Sequence, residues 1–343
     1  MSTRTADETL PRVAEAHPAK FGDPATFRRE IAEPCQPLIV RGAFRDWPVV
    51  RAAARSGQEL RDYLCRFTND VSADVFIGDP AIEGRYYYRD GLEGFNFERV
   101  SMDAATAIDR IFASAATAGS PTLYLGSLPA DAYFPGFADE NIAPMLAPNV
   151  TPRIWIGNAS FVSCHYDAVD NIACAVLGRR RFTLYPPDAI GDLYVGPLDH
   201  TMAGQPVSLA AGAPDDRRYP RFASALAKAC VAELEPGDAL YLPKLWWHQV
   251  EATEPVNLLV NYWWDEFSAG PDAPLLTMLL AMIAVAERPP VERAAWRAFF
   301  DHYVFRPDGH PLAHLPEEKH GMLGPLKTNY GRIRAMVMRG LRG

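Results

Sequence analysis

Residues 160–187, SFVSCHYDAVDNIACAVLGRRRFTLYPP, decide how the rest of the chain is read. Their apolar runs, broken at Gly178, predict short strands. Yet the upstream half carries His165, Asp167 and Asn171, and the downstream half opens with three arginines. Unpaired charge in a strand that borders a core is costly. Residues i and i+2 of a strand project from one face, so the imidazole of His165 and the carboxylate of Asp167 point the same way.

A third donor comes from LPKLWWHQV, where His248 opens a later strand after a PGD turn and a proline. Two histidines and one carboxylate on one side of a metal form the facial arrangement of non-haem Fe(II) oxygenases, whose opposite side stays open. A lone His-x-Asp is weak: eight histidines, each with a roughly one-in-twenty chance of Asp two places on, make one match unremarkable. The strand setting and the second histidine give it weight. The plain alternative is a partly exposed His–Asp pair, with His248 a satisfied histidine beside Trp246 and Trp247.

The totals set the frame. The chain has 343 residues, 48% apolar, a formal net charge of -8 and a sequence pI near 5.5. That length suits one large domain with helical additions. An acidic chain argues against nucleic acid as a partner. The opening MSTRTADETLPRVAEAHPAK lacks the apolar run of a secretory signal, and PLLTMLLAMIAVA (274–286) is too short to span a bilayer. A soluble cytoplasmic protein without membrane contact is expected. The five cysteines are scattered and without CxxC spacing, so free thiols are expected.

The first thirty residues are polar and read as loosely held. PLIVRG (37–42), SADVFIG (72–78), RYYYRD (85–90) and TLYLGSL (122–128) read as strands, ELRDYLCRF (59–67) as a helix. SMDAATAIDRIFAS (101–114) reads as a helix capped by its serine. From about 153 to 265 come eight short strands with turn signals between them, and a Gly/Pro-rich insert at 188–230. Helical periodicity returns at 273–287, 289–304 and 325–341. The expected organisation is a 1–30 tail, a 31–268 β domain with an N-terminal α/β elaboration, and a 269–343 helical segment. The last either covers the β domain or makes a homodimer.

After Gly178, Arg180, Phe182 and Leu184 share one face, and Arg179, Arg181 and Thr183 the other. One guanidinium entering the β domain would suit the far carboxylate of a dicarboxylate; three solubilising surface charges are the plainer reading. Asn171 and Asn261 each sit in an apolar strand and need partners, a bound carboxylate or backbone groups.

PLIVRGAFRDWP, TLYLGSL, HYDAVDNIACAVLGRRRFTLYPP, LYVGPLDH, EPGDALYLPKLWWHQV and LVNYWW, in this order over roughly 35–265, resemble the cupin-like JmjC oxygenases. The chain is most similar to the factor-inhibiting-HIF type of hydroxylase and its bacterial relatives. The resemblance implies a mainly β fold with added helices, a double-stranded β-helix or jelly roll. It implies Fe(II) held by His165, Asp167 and His248, with 2-oxoglutarate as co-substrate. Tyr124 matches a tyrosine that hydrogen-bonds the far carboxylate of 2-oxoglutarate, and Asn171 and Asn261 match asparagines lining that site. Arg180 falls where many relatives carry a lysine, so reach and fork geometry differ. Relatives commonly place Thr or Ser three residues before the first histidine, where this chain has Val162. Ser163 would face the other way unless the strand is bulged.

The implied reaction is hydroxylation of a C–H bond of a protein or peptide side chain or a small molecule, giving succinate and CO2. A co-substrate-independent metal cupin enzyme or a non-catalytic jelly-roll binding protein are the alternatives. Neither needs Tyr124, Arg180 and Asn261 to converge on one site.

Overall fold

A computed structural model describes residues 10–202, 204–212, 217–268 and 270–342. The chain divides into two compact units, Met1–Glu266 and Phe267–Gly343.

The first unit is built on two sheets. In chain order the strands are β1 (Ala14–Ala16), β2 (Leu38–Val40), β3 (Ser72–Gly78), β4 (Arg85–Tyr86), β5 (Phe97–Asp103), β6 (Thr122–Pro129) and β7 (Pro152–Gly157). They continue as β8 (Ser160–Tyr166), β9 (Asp170–Leu177), β10 (Arg180–Tyr185), β11 (Cys230–Leu234), β12 (Ala239–Leu242), β13 (Trp247–Ala252) and β14 (Asn257–Trp264). Nine of them form a sheet in the order β1-β2-β12-β9-β14-β7-β6-β3-β5, and five form a second in the order β11-β10-β13-β8-β4. From β7 to β10 and again from β12 to β14, successive strands alternate between the sheets.

The two sheets face each other. Ala173, Ala175, Leu240, Leu242 and Leu259 of the large sheet pack against Phe182, Leu184, Ala232, Leu234 and Val250 of the small one. On its other face the large sheet carries Ile154, Ile156, Ile172, Cys174 and Val260 into a second core with the helices Pro48–Arg55, Gly57–Cys65 and Ala104–Ala115. This is a mixed fold with substantial sheet and helix content, broadly of the cupin and JmjC kind. The Glu235-Pro236-Gly237-Asp238 turn closes with Asp238 N–H donating to Glu235 O at 2.9 Å. Gly237 has φ +94°, and a Cβ there would meet the Arg45 backbone at 2.9 Å, so only glycine fits.

The sequence reading needs three corrections. Residues 10–30 are not loosely held: β1 pairs with β2, and Val13, Phe21 and Phe27 are buried, because sparse apolar side chains suffice to anchor a polar segment. The helix near 101–114 begins at Ala104 with Asp103 as its cap, accepting from Thr106 N–H at 2.8 Å; Ser101 lies in β5. RYYYRD is strand only over Arg85–Tyr86, with an isolated bridge from Tyr88 to Phe95.

The second unit holds the helices Pro274–Val285, Pro290–Phe300 and Leu326–Leu341 where helical periodicity places them. None of its described residues is buried, and Leu276, Met278, Leu279, Met282 and Ile283 of the first helix are exposed. Among the described residues no helix is long and apolar enough to cross a membrane.

Candidate metal centre

His165 in β8 and His248 in β13 are direct antiparallel partners, so their side chains emerge on the same face. Their ring centroids are 4.3 Å apart. Asp167 lies just past the end of β8, and its Oδ2 is 3.8 Å from His248 Nε2. One donor atom from each of the three falls within 4.8 Å of the others, a group that can coordinate a metal ion.

Backbone carbonyls fix the tautomer of both rings. His165 Nδ1 lies 2.8 Å from Ser163 O, and His248 Nδ1 lies 3.0 Å from Trp246 O. A carbonyl only accepts, so each Nδ1 carries the hydrogen and each Nε2 keeps its lone pair for an ion. Burial, then the neighbouring His165, push His248 down to about 4 despite Asp167 beside it, so it is neutral at pH 7. Neutral imidazole is the metal-binding form.

The loop and turn that carry these ligands are tied together by an aspartate that the sequence reading passed over. Asp170, fully buried at the start of β9, accepts from Tyr241 Oη at 3.1 Å and from Glu266 N–H at 3.2 Å. It pairs with Lys244 Nζ at 3.1 Å. Lys244 belongs to the turn before β13, where Leu245 takes φ +68° and donates its N–H to Asp167 O at 2.8 Å.

Tyr124, Asn171, Arg180 and Asn261 line the same cavity as the three ligands, a hollow of about 370 Å³ between the sheets. Arg180 is turned inward and 2% exposed, and among the described residues its Nε has no partner. Arg179 faces out toward Glu254 at 3.3 Å, and Arg181 pairs with Glu233 at 2.8 Å. Burial lowers Arg180 and raises Tyr124, and each is held toward its charged form by the other. The two asparagines pair with each other and with neighbouring side chains. Trp155 Nε1 donates to Asn261 Oδ1 at 2.6 Å, Asn261 Nδ2 to Asn171 Oδ1 at 3.1 Å, and Asn171 Nδ2 to Asp167 Oδ2 at 3.3 Å.

The strand is bulged where the Val162 question arose. His165 pairs with His248 but Val162 pairs with Val250, so two residues of β8, Ser163 and Cys164, stand opposite Gln249 alone. Val162 and His165 therefore both line the cavity, and Ser163 spends its hydroxyl on Tyr86 O at 3.1 Å. Cys164 is buried on the outer side among Tyr166, Tyr185 and Trp247. Among the aromatics of LWWHQV and NYWW, Trp263 faces the cavity while Trp247 and Tyr262 are core. His200 stacks on Phe95 at 5.1 Å, outside the metal group.

Comparison with known proteins agrees with this geometry. The chain is 31% identical to human HSPB1-associated protein 1 over 146 residues, 41% of this chain and 30% of that protein. It is 35% identical to the lysine-specific demethylase JMJ31 of Arabidopsis thaliana over 114 residues, 33% of this chain and 20% of that one. Over 240 residues, 70% of this chain and 50% of the relative, it is 23% identical to lysine-specific demethylase 8 of Xenopus tropicalis. The chain thus spans between 20% and 50% of the length of these relatives. The family model described as a cupin-like domain matches residues 24–270, a span that takes in the whole small sheet and all three metal donors. The chain belongs to the cupin-like domain family.

Proposed function

We propose that this protein is an Fe(II)- and 2-oxoglutarate-dependent oxygenase. It hydroxylates a C–H bond of a protein or peptide side chain or of a small molecule, with succinate and CO2 as co-products. The observation that carries this reading is one cavity holding both the three-donor group and a buried guanidinium whose Nε lacks a partner among the described residues. A buried charge of that kind calls for an anion.

Iron bound there would supply oxygen activation driven by oxidative decarboxylation of 2-oxoglutarate. His165, Asp167 and His248 would hold it from one side, the imidazoles through Nε2. Arg180 pairs with the far carboxylate of 2-oxoglutarate, and the Tyr124 hydroxyl donates to the same group. Asn171 steadies Asp167 and is steadied by Asn261. Phe76, Tyr86, Phe97 and Phe182 make the wall that keeps water from the reacting atoms. A metal enzyme without co-substrate, or a binding module, has no use for Arg180 and Tyr124 in this cavity.

The test is succinate formation from 2-oxoglutarate by the Fe(II)-loaded protein. Turnover in the parent and its loss in Asp167→Ala support the assignment. Failure of the parent both to bind 2-oxoglutarate and to form succinate sinks it.

The second unit is proposed to pair with a second copy of the chain. An apolar helix with no buried residue cannot be satisfied by a unit this small. Light scattering giving a monomer mass at micromolar concentration would overturn this.

A further inference from the structure

The cavity contains a second arginine that metal and co-substrate leave unused. Along β7, Ile154 and Ile156 are buried in the helix-side core, so Arg153 and Trp155 turn inward and line the cavity. An arginine on an inward strand face loses hydration, and the neighbouring strand is distorted to receive it. The pairing of β6 with β7 slips between Leu125 and Leu128, and Ser127 takes φ +60°, a conformation that disfavours residues with a Cβ. That bend brings the Ser127 hydroxyl to 2.8 Å from Arg153 Nε and its carbonyl to 2.8 Å from Nη2. The Trp263 ring lies against the guanidinium at 5.0 Å.

The group is fixed in place but not neutralised. Among the described residues no carboxylate forms an ion pair with Arg153, and its Nη1 makes no hydrogen bond. Asp131, the carboxylate whose charge acts on it, accepts instead from the Thr151 hydroxyl at 3.3 Å. Beside it the indole N–H of Trp263 is buried and, among the described residues, has no acceptor. One charged and one neutral donor are thus left over on one stretch of wall.

That stretch is not the end of the cavity where Tyr124 and Arg180 meet. Tyr124 pairs with Gly157, four residues along β7 from Arg153, which is about 13 Å at the usual rise. Arg153 instead pairs with Asn261, whose amide leads through Asn171 to Asp167.

We propose that Arg153, seated on Ser127 and backed by Trp263, selects the oxidised substrate by receiving a carboxylate that the substrate carries. The proposal rests on the oxygenase reading and adds the substrate class, an acid. A phosphate dianion fits less well, since one guanidinium and a neutral indole leave half its charge uncompensated. The acid is either a free amino-acid derivative or an acidic residue within a peptide, and both present the same group.

Binding to the Mn(II)-loaded full chain, saturated with 2-oxoglutarate, tests it without turnover. The probes are N-acetylglutamate, N-acetylglutamine, and the pentapeptides acetyl-AAEAA-amide and acetyl-AAQAA-amide, followed by calorimetry and tryptophan fluorescence. We expect the parent to bind a glutamate probe about tenfold more tightly than its glutamine partner. Whether the free or the peptide form binds identifies the source. Arg153→Gln is expected to abolish the preference and Arg153→Lys to keep part of it, with 2-oxoglutarate affinity within about twofold of the parent in both. No preference in the parent, or a preference that survives Arg153→Gln, overturns the proposal. So does a tenfold loss of 2-oxoglutarate affinity in Arg153→Gln, which would place the residue in the co-substrate site. Absence of 2-oxoglutarate binding to the parent is read in its own titration and overturns the oxygenase reading instead.

Discussion

Lys244 closes an ion pair with the fully buried Asp170 at 3.1 Å, and this contact joins the loop after Asp167 to the turn before His248. Asp170→Asn keeps the shape but removes the charge and weakens three donated hydrogen bonds. Lys244 retains Asp265 at 2.5 Å, so its charge is not stranded. We expect a loss of about 2–3 kcal/mol in urea unfolding. Divalent-ion affinity should fall about tenfold as the two ligand-bearing segments loosen. A variant as stable as the parent would show the pair to be ornamental.

The depressed His248 makes the metal-free protein acid-sensitive. Its ordinary value of 6.5 applies in the unfolded chain, against about 4 in the folded one. Between those limits the unfolded state binds more protons, so stability is complete above pH 6.5 and is lost as pH falls toward 4. The full effect is on the order of 3 kcal/mol. Urea midpoints of metal-stripped protein measured across that window should slope downward toward acid, and His248→Leu should flatten the slope.

Val162 offers a gain-of-contact test. It lines the cavity through the bulge, where Val162→Thr would place a hydroxyl at little change in volume. A new hydrogen bond to a charged ligand contributes about 1.5 kcal/mol or more, roughly tenfold in affinity. We expect Val162→Thr to tighten 2-oxoglutarate binding by up to that factor. Unchanged or weaker binding would mean that the co-substrate does not reach this wall.

Asn261→Ala removes the middle of the chain running from Trp155 to Asp167. It strands the indole N–H of Trp155 and the Oδ1 of Asn171 in a buried setting. A stability loss of about 1–3 kcal/mol is expected for such unsatisfied groups. Manganese affinity, followed by electron paramagnetic resonance, should fall while the tertiary circular dichroism stays intact.

Strands between 153 and 264 were legible because each is a short apolar run closed by Gly, Pro or Asp, and strand parity brought His165 and Asp167 to one face. Other elements left no such trace. β5 has Glu98, Arg99, Val100 and Ser101 all exposed, so it shows no alternation and its end reads as a helix cap. Asp170 reads as a turn residue until its partners from distant segments are seen. Arg153 in RIWIG reads as a solvent-facing position, because only the pairing of β6 with β7 reveals that its side of the strand is the inner one.

The irregular step in β8 lets a single strand work in two phases. Inward positions are odd-numbered at His165 and Asp167 and even-numbered at Val162. Regular pairing of the same residues would swing Val162 to the outside or carry the histidine out of line with His248, whereas removal of Ser163 or Cys164 would leave Val162 and His165 two places apart on one inward face. The surplus residue thus acts as a gear tooth, letting the cavity wall upstream and the donor pair downstream answer to separate constraints on one continuous backbone.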